Sequence, residues 1–268
     1  MNKVAANFTG SIPEFYESGL VPVIFEDYAK ETAIRVAKCK PALVLELAAG
    51  TGVVTRMLRD RLPKKCEIIA SDLNEPMLGV AQKKFKSGEL VSFRPVDAMN
   101  IPLDDNSVDV VVCQFGVMFF PDKVQSYKEA LRVLKPGGRY IFNAWDSHEF
   151  NPFAGIVQRV VEDVFPDDPP GFYKVPFHYY DAKEMKREMK EAGFSSIKVQ
   201  RKKLRKTIPS MDAFVKGIVH GNPLSEEILA RNSDLDAISV KIQDALVTEF
   251  GRDPAKMPLS AYFVTGQK

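Results

Sequence analysis

Between residues 42 and 145 the chain repeats one alternation: a short apolar run rich in branched residues, then a stretch with helical spacing. Runs at 42–47, 67–71, 91–94, 108–113 and 139–145 read as strands, and 52–61, 76–85 and 123–134 as the helices between them. Strands apolar on both faces must be covered on both faces, and strands joined through helices run parallel. The block therefore predicts a doubly wound α/β domain with a mostly parallel sheet. Lys135-Pro136-Gly137-Gly138 supplies a stop and a turn ahead of the fifth strand.

The flanks are less regular. Residues 22–38 have helical spacing, 147–180 are rich in proline and aromatics and read as an irregular insertion, and 182–192 read as a helix before a strand at 197–203. Residues 209–258 are again helical in pattern, with Leu235, Ile238, Ile242 and Leu246 on one face, and 261–265 form a last strand. Two antiparallel edge strands would bring the sheet to seven. The expected layout is a single domain: a helical N-terminal cap (1–40), an α/β core (41–146), an insertion and return to the sheet (147–204), and a helical lid with the final strand (205–268). The arm and the segments 147–180 and 205–258 are the candidates to close over the sheet. The apolar face at 234–250 is read as core, with a dimer interface as the alternative, so monomer and homodimer both stay open.

Composition removes several classes. Of 268 residues 45% are hydrophobic and 27% charged, which supports a full core. The longest apolar stretch, 108–120, is broken by Asp109, Gln114 and Gly116 and falls short of the roughly 20 residues of a membrane span. No secretion signal is visible, so a cytoplasmic location is expected. Lys plus Arg number 37 against 35 acidic residues, too even for a large nucleic-acid footprint. The one dense basic run, Arg201-Lys202-Lys203-Leu204-Arg205-Lys206, reads as a solvated strand end, with a site for an anionic partner as the alternative. Three cysteines (Cys39, Cys66, Cys113) and three scattered histidines make no metal constellation, so reduced thiols and no metal are expected.

On such a sheet ligands bind beyond the carboxyl ends of the strands. The first loop there is Glu46-Leu47-Ala48-Ala49-Gly50-Thr51-Gly52, whose small residues admit close backbone approach. The third glycine of a dinucleotide fingerprint is missing, since Thr55 stands in its place, and no phosphate-loop Gly-Lys-Ser/Thr follows. This loop resembles the first motif of class I S-adenosylmethionine-dependent methyltransferases, with Ala48 in place of the first glycine. The resemblance continues through Ser71-Asp72, Val96-Asp97-Ala98, Ser107-Val108-Asp109-Val110-Val111 and Leu131-Arg132-Val133-Leu134-Lys135-Pro136-Gly137-Gly138. It implies a Rossmann-like sheet, S-adenosyl-L-methionine as cofactor and S-adenosyl-L-homocysteine as product.

The resemblance also implies roles. Asp72 would take the ribose hydroxyls, lying about 20 residues past the glycine loop, with Leu73 beside it and Met77 near the adenine. Asp97, with Ala98 and Met99, would take the adenine amino group. Glu46 would organise the methionine end, Ala48, Gly50 and Gly52 would admit the backbone, and Gln114 and Phe115 would flank the methionine part. Tyr16 and Tyr28 lie in a stretch similar to the arm that caps the cofactor. Plain structural readings stand beside these: a helix cap for Asp72, a turn acid for Asp97, core aromatics for Tyr16 and Tyr28.

Methyl transfer needs an acceptor held in line in a dry site, and a base only if the acceptor must lose a proton. His148, His178, His220, Tyr16 and Tyr179 are the candidates, and His178, inside the expected lid, is favoured. Cys113-Gln114-Phe115-Gly116 stands where enzymes methylating nucleobase amino groups carry Asn/Asp-Pro-Pro-Tyr/Phe. The layout looks most like the small-molecule branch that includes ubiquinone/menaquinone C-methyltransferases. The acceptor expected is thus small and apolar or aromatic, with RNA or protein methylation, a nicotinamide oxidoreductase and a non-catalytic cofactor-binding protein as alternatives.

Overall fold

The structure, a computed structural model, describes residues 8–268; the expectations about the extreme N-terminus lie outside them. Seven strands form one sheet in the order β3-β2-β1-β4-β5-β7-β6. They are β1 (Leu43–Leu47), β2 (Glu67–Asp72), β3 (Val91–Pro95), β4 (Val108–Gln114), β5 (Leu134–Trp145), β6 (Ser195–Ile208) and β7 (Ala255–Gln267). The first five run parallel, and β7 is antiparallel to both of its neighbours. Strand order reverses between β1 and β4, the switch point at which such sheets open a crevice. β1 and β4 are buried almost throughout because helices cover both faces.

The helices are α1 (Ile12–Phe15), α2 (Glu26–Ala37), α3 (Val53–Arg61), α4 (Glu75–Gln82), α5 (Lys123–Val133), α6 (Pro152–Val164), α7 (Ala182–Glu191), α8 (Met211–His220), α9 (Leu224–Leu229) and α10 (Leu235–Phe250). No helix of the described residues is long and apolar enough to cross a membrane. Three features differ from the sequence reading. The arm is helical from Ile12 onward, not from residue 22, and between α1 and α2 it winds as a wide π-helix, Tyr16–Phe25. Pro22, which brings no N–H of its own, sits inside those wide turns. The insertion at 147–180 is not irregular throughout: Pro152 opens α6 at its first turn, where a missing N–H costs nothing, and Phe153, Ile156, Val157 and Val161 bury one face.

Third, residues 255–258 are strand rather than helix. β6 and β7 pair over their whole lengths, from Ser195 to Ile208, whereas β5 pairs with β7 only as far as Trp145 opposite Ala261. The two outer strands thus continue past the carboxyl end of β5 as a ribbon. Its inner face buries Ile208, Ala255, Met257 and Leu259.

The arm also packs backbone to backbone on α8. Gly19 of the π-helix crosses Gly217 of α8 so closely that a Cβ on Gly19 would stand 2.6 Å from the Gly217 Cα. The backbones touch with no side chain between them.

Candidate active site

The carboxyl ends of β1, β2, β4 and β5 open into one cleft of about 790 Å³, large enough for a cofactor with a small acceptor beside it. Its floor is the loop after β1. Gly50 and Gly52 hold φ of +56° and +80°, and a Cβ on Gly52 would meet the Ala81 Cβ at 2.8 Å, so glycine is required for α3 to pack on α4. Ala48 adopts φ +51° in the same left-handed region without being glycine. Its methyl group fills the space above Gly116, where a Cβ would lie 2.5 Å from the Ala48 Cβ and 2.7 Å from the Cys113 sulfur.

Asp72, at the end of β2, is buried and aimed back at the loop. One carboxylate oxygen accepts the Gly50 N–H at 2.9 Å, and the other accepts the Asn74 N–H at 2.8 Å and its side-chain amide at 3.2 Å. Burial raises its carboxyl above the ordinary range, and those three donors oppose the rise. Leu73 is exposed at the lip and Met77 packs beneath Gly50. On the far wall the Asp97 carboxylate accepts the Met99 N–H at 2.9 Å and turns Ala98 and Met99 along the rim.

Glu46 lies deeper, with 1% exposure, on a water-sized pocket behind the loop that Tyr16, Thr51 and Gln114 also line. Burial pushes its carboxyl up to about 8, and the nearby Asp72 adds to the effect. The Glu46 Oε2 and the Thr51 hydroxyl are buried there without a partner. Orphaned polar atoms beside an open loop fit a ligand that brings its own polar groups. Gln114 is fixed from behind: its amide donates to the Phe25 carbonyl at 3.3 Å and accepts from Thr32 at 3.0 Å and Asn143 at 3.4 Å. Phe115, with φ +53°, stacks on Trp145 at 3.9 Å between ring centroids and 10° between planes.

Tyr16 lines the cleft with its ring stacked on Phe25 at 5.0 Å. Burial, with Asp72 close by, lifts its phenol far above the usual range. Tyr28 does not reach the cleft. It is wholly buried behind the wall, edge-on to Phe115 and Trp145, and its hydroxyl donates to the Lys202 carbonyl at 3.4 Å.

The histidine favoured as base is misplaced. His178 is exposed and turned away, its ring engaged by the Val175 carbonyl of its own turn, because the neighbouring Phe177 takes the inward position. His148 sits behind Phe177 with its Nε2 2.9 Å from the Tyr173 carbonyl, and burial lowers its basicity. His220 packs on Phe15, and Tyr179 bonds Tyr127 and Glu188 away from the cleft.

The half of the cleft walled by residues of the 147–180 segment was not foreseen residue by residue. Phe119, Phe153, Phe172 and Phe177 line it with Trp145, and Phe8 closes edge-on against Tyr16, Phe119 and Phe172. Its polar members, Asn222 and the Tyr173 hydroxyl, bond each other and the Ile218 carbonyl. Asn74 was also missed: it holds Asp72 on one side and accepts the Phe8 N–H at 3.2 Å on the other. The spacing Asp72-Leu73-Asn74 was the available signal.

A model of the methyltransferase domain family matches residues 45–142. Demethylmenaquinone methyltransferase of Lactiplantibacillus plantarum is 38% identical over 117 residues, 42% of this chain and 49% of that enzyme, so the match spans about half of the relative's length. The enzyme of the same name from Staphylococcus saprophyticus is 30% identical over 166 residues, 58% of this chain and 71% of its own length. This chain belongs to the class I S-adenosylmethionine-dependent methyltransferases. Among solved structures, the YcgJ protein of Bacillus subtilis superposes on this methyltransferase with a TM-score of 0.58 at 20% identity, covering 90% of this chain and 98% of that one, and so shares its fold.

Proposed function

We propose that this methyltransferase transfers a methyl group from S-adenosylmethionine to a small, apolar or aromatic acceptor, on oxygen, carbon or nitrogen, in a pocket closed by the arm and the lid helices. What supports the reading is the lid half of the cleft: aromatic walls, no histidine, and polar atoms already bonded to one another. A chamber of that kind rewards flat apolar surface and penalises charge. The names of the similar enzymes point the same way, toward an acceptor of the demethylmenaquinone kind.

When bound, the cofactor supplies a methyl carbon activated by an adjacent positive sulfonium. Asp72, Asp97 and the loop at Gly50 would hold it from one side, with Glu46 and Gln114 at its methionine end. The aromatic walls would exclude water and hold the acceptor in line, the part of the barrier that positioning can remove. Of the five candidate bases only Tyr16 lines the cleft, and it holds its proton far above neutral pH, so none of the five takes a proton from the acceptor there. The test is formation of S-adenosylhomocysteine with 1,4-naphthohydroquinone, a phenol, an arylamine and a short RNA as acceptors. Turnover confined to the planar aromatic compounds is expected; methylation of the RNA in preference to them would overturn the assignment.

A further inference from the structure

The basic run at 201–206 lies on β6, the outer edge of the sheet, and runs into the ribbon that outreaches β5 at the cleft end. Pairing puts Arg205 opposite Pro258 and Thr207 opposite Lys256, so Lys203, Arg205 and Lys256 share the ribbon's outer face, and all three are exposed. Two other cations of the run are engaged: Arg201 with Asp146 at 2.9 Å and Lys206 with Asp27 at 2.6 Å. Lys203, Arg205 and Lys256 have no acidic partner among the described residues. The face also touches the active site. Lys203 and Arg201 lie 4.9 Å and 4.5 Å from the ring of Phe150, in the loop that leaves Trp145 of the chamber wall.

We propose that this ribbon face is a docking surface for an anionic lipid bilayer, which brings the carboxyl end of the sheet to the membrane. Three cations without acidic partners on one face suit a plane of negative headgroups, since each Lys or Arg near such a surface strengthens binding about fivefold. A groove that tracks a nucleic-acid backbone is not what the ribbon offers, and the Phe150 ring beside it already carries Arg201 and Lys203. The choice of a lipid rests on the apolar-acceptor reading, because an acceptor of that class partitions into bilayers. The surface itself stands on charge and position. Guarding an exposed sheet edge is a role a charge of either sign fills, so reversing the sign separates edge protection from docking.

The experiment is co-sedimentation of the full chain, without cofactor or acceptor, with vesicles of phosphatidylcholine alone or with 30% phosphatidylglycerol (about that proportion keeps a clear surface potential). Wild type is expected to sediment with the anionic vesicles only, and less so as salt rises. The variant Lys203→Glu/Arg205→Glu/Lys256→Glu should lose on the order of 100-fold in partitioning, with cofactor affinity unchanged. Lys64→Glu/Lys65→Glu/Lys86→Glu, the same charge change at exposed lysines elsewhere, should bind nearly as wild type. Absence of wild-type binding, equal loss in both variants, or tighter binding to a short single-stranded RNA would each overturn the proposal. None of these outcomes depends on which acceptor is methylated.

Discussion

At the scale of single residues, the carboxyl ends of the strands were legible and the irregular segments were not. Asp72 and Asp97 stand where a strand hands over to a turn, and that placement follows from chain order alone. His178 failed because no periodicity says which of Phe177 and His178 turns inward in a segment without regular structure. Asp72→Ala should weaken S-adenosylmethionine about 10- to 100-fold by calorimetry, the range for losing hydrogen bonds to a charged group. Glu46 makes a second prediction. The unfolded chain gives up this proton near the ordinary value of 4.5, while the folded apoprotein keeps it until about 8. Across that window the folded state holds the extra proton, so stability falls as pH rises, by about 1.4 kcal/mol per unit, and levels off above it. Glu46→Gln removes the dependence. Urea unfolding should find the apo variant more stable than wild type by a few kcal/mol at pH 8.5, with the gap closing toward pH 4.5. Affinity for the cationic cofactor should rise with pH up to about 8 in wild type and stay flat in the variant.

At the scale of elements, the alternation from 42 to 145 gave the parallel core because buried strands and their covering helices have different periods. The outer ribbon was missed in part because Pro258 interrupts the short alternation of its buried residues Ala255, Met257 and Leu259, and proline inside an apolar run reads against a strand. α6 was missed because proline reads as a breaker unless it falls in the first turn. Two close contacts between elements are tests of the packing. Gly116→Ala would drive a methyl group into Ala48 and Cys113 and should cost about 1–3 kcal/mol, read as a fall in urea midpoint at constant slope. Gly217→Ala would meet the Gly19 backbone at 2.8 Å and part the arm from α8. A comparable loss of stability is expected. Because Tyr16 rides on the same π-helix, weaker cofactor binding should accompany it.

At the scale of the whole molecule, one cleft carries both halves of the proposed reaction, and Trp145, the single tryptophan of the chain, stands in its wall. Its fluorescence should change on addition of a planar aromatic acceptor and remain unchanged with the short RNA, a titration that needs no turnover. The Gly19–Gly217 crossing then bears on the rhythm of catalysis. With two backbones in direct contact, the arm cannot swing off the cofactor half without carrying α8 with it, so we predict that both spent ligands leave through a single opening event. That event sets a ceiling shared by every acceptor. Chemically unlike acceptors should reach the same kcat at saturation, that common rate should drop as solvent viscosity is raised, and their differences should survive only in KM.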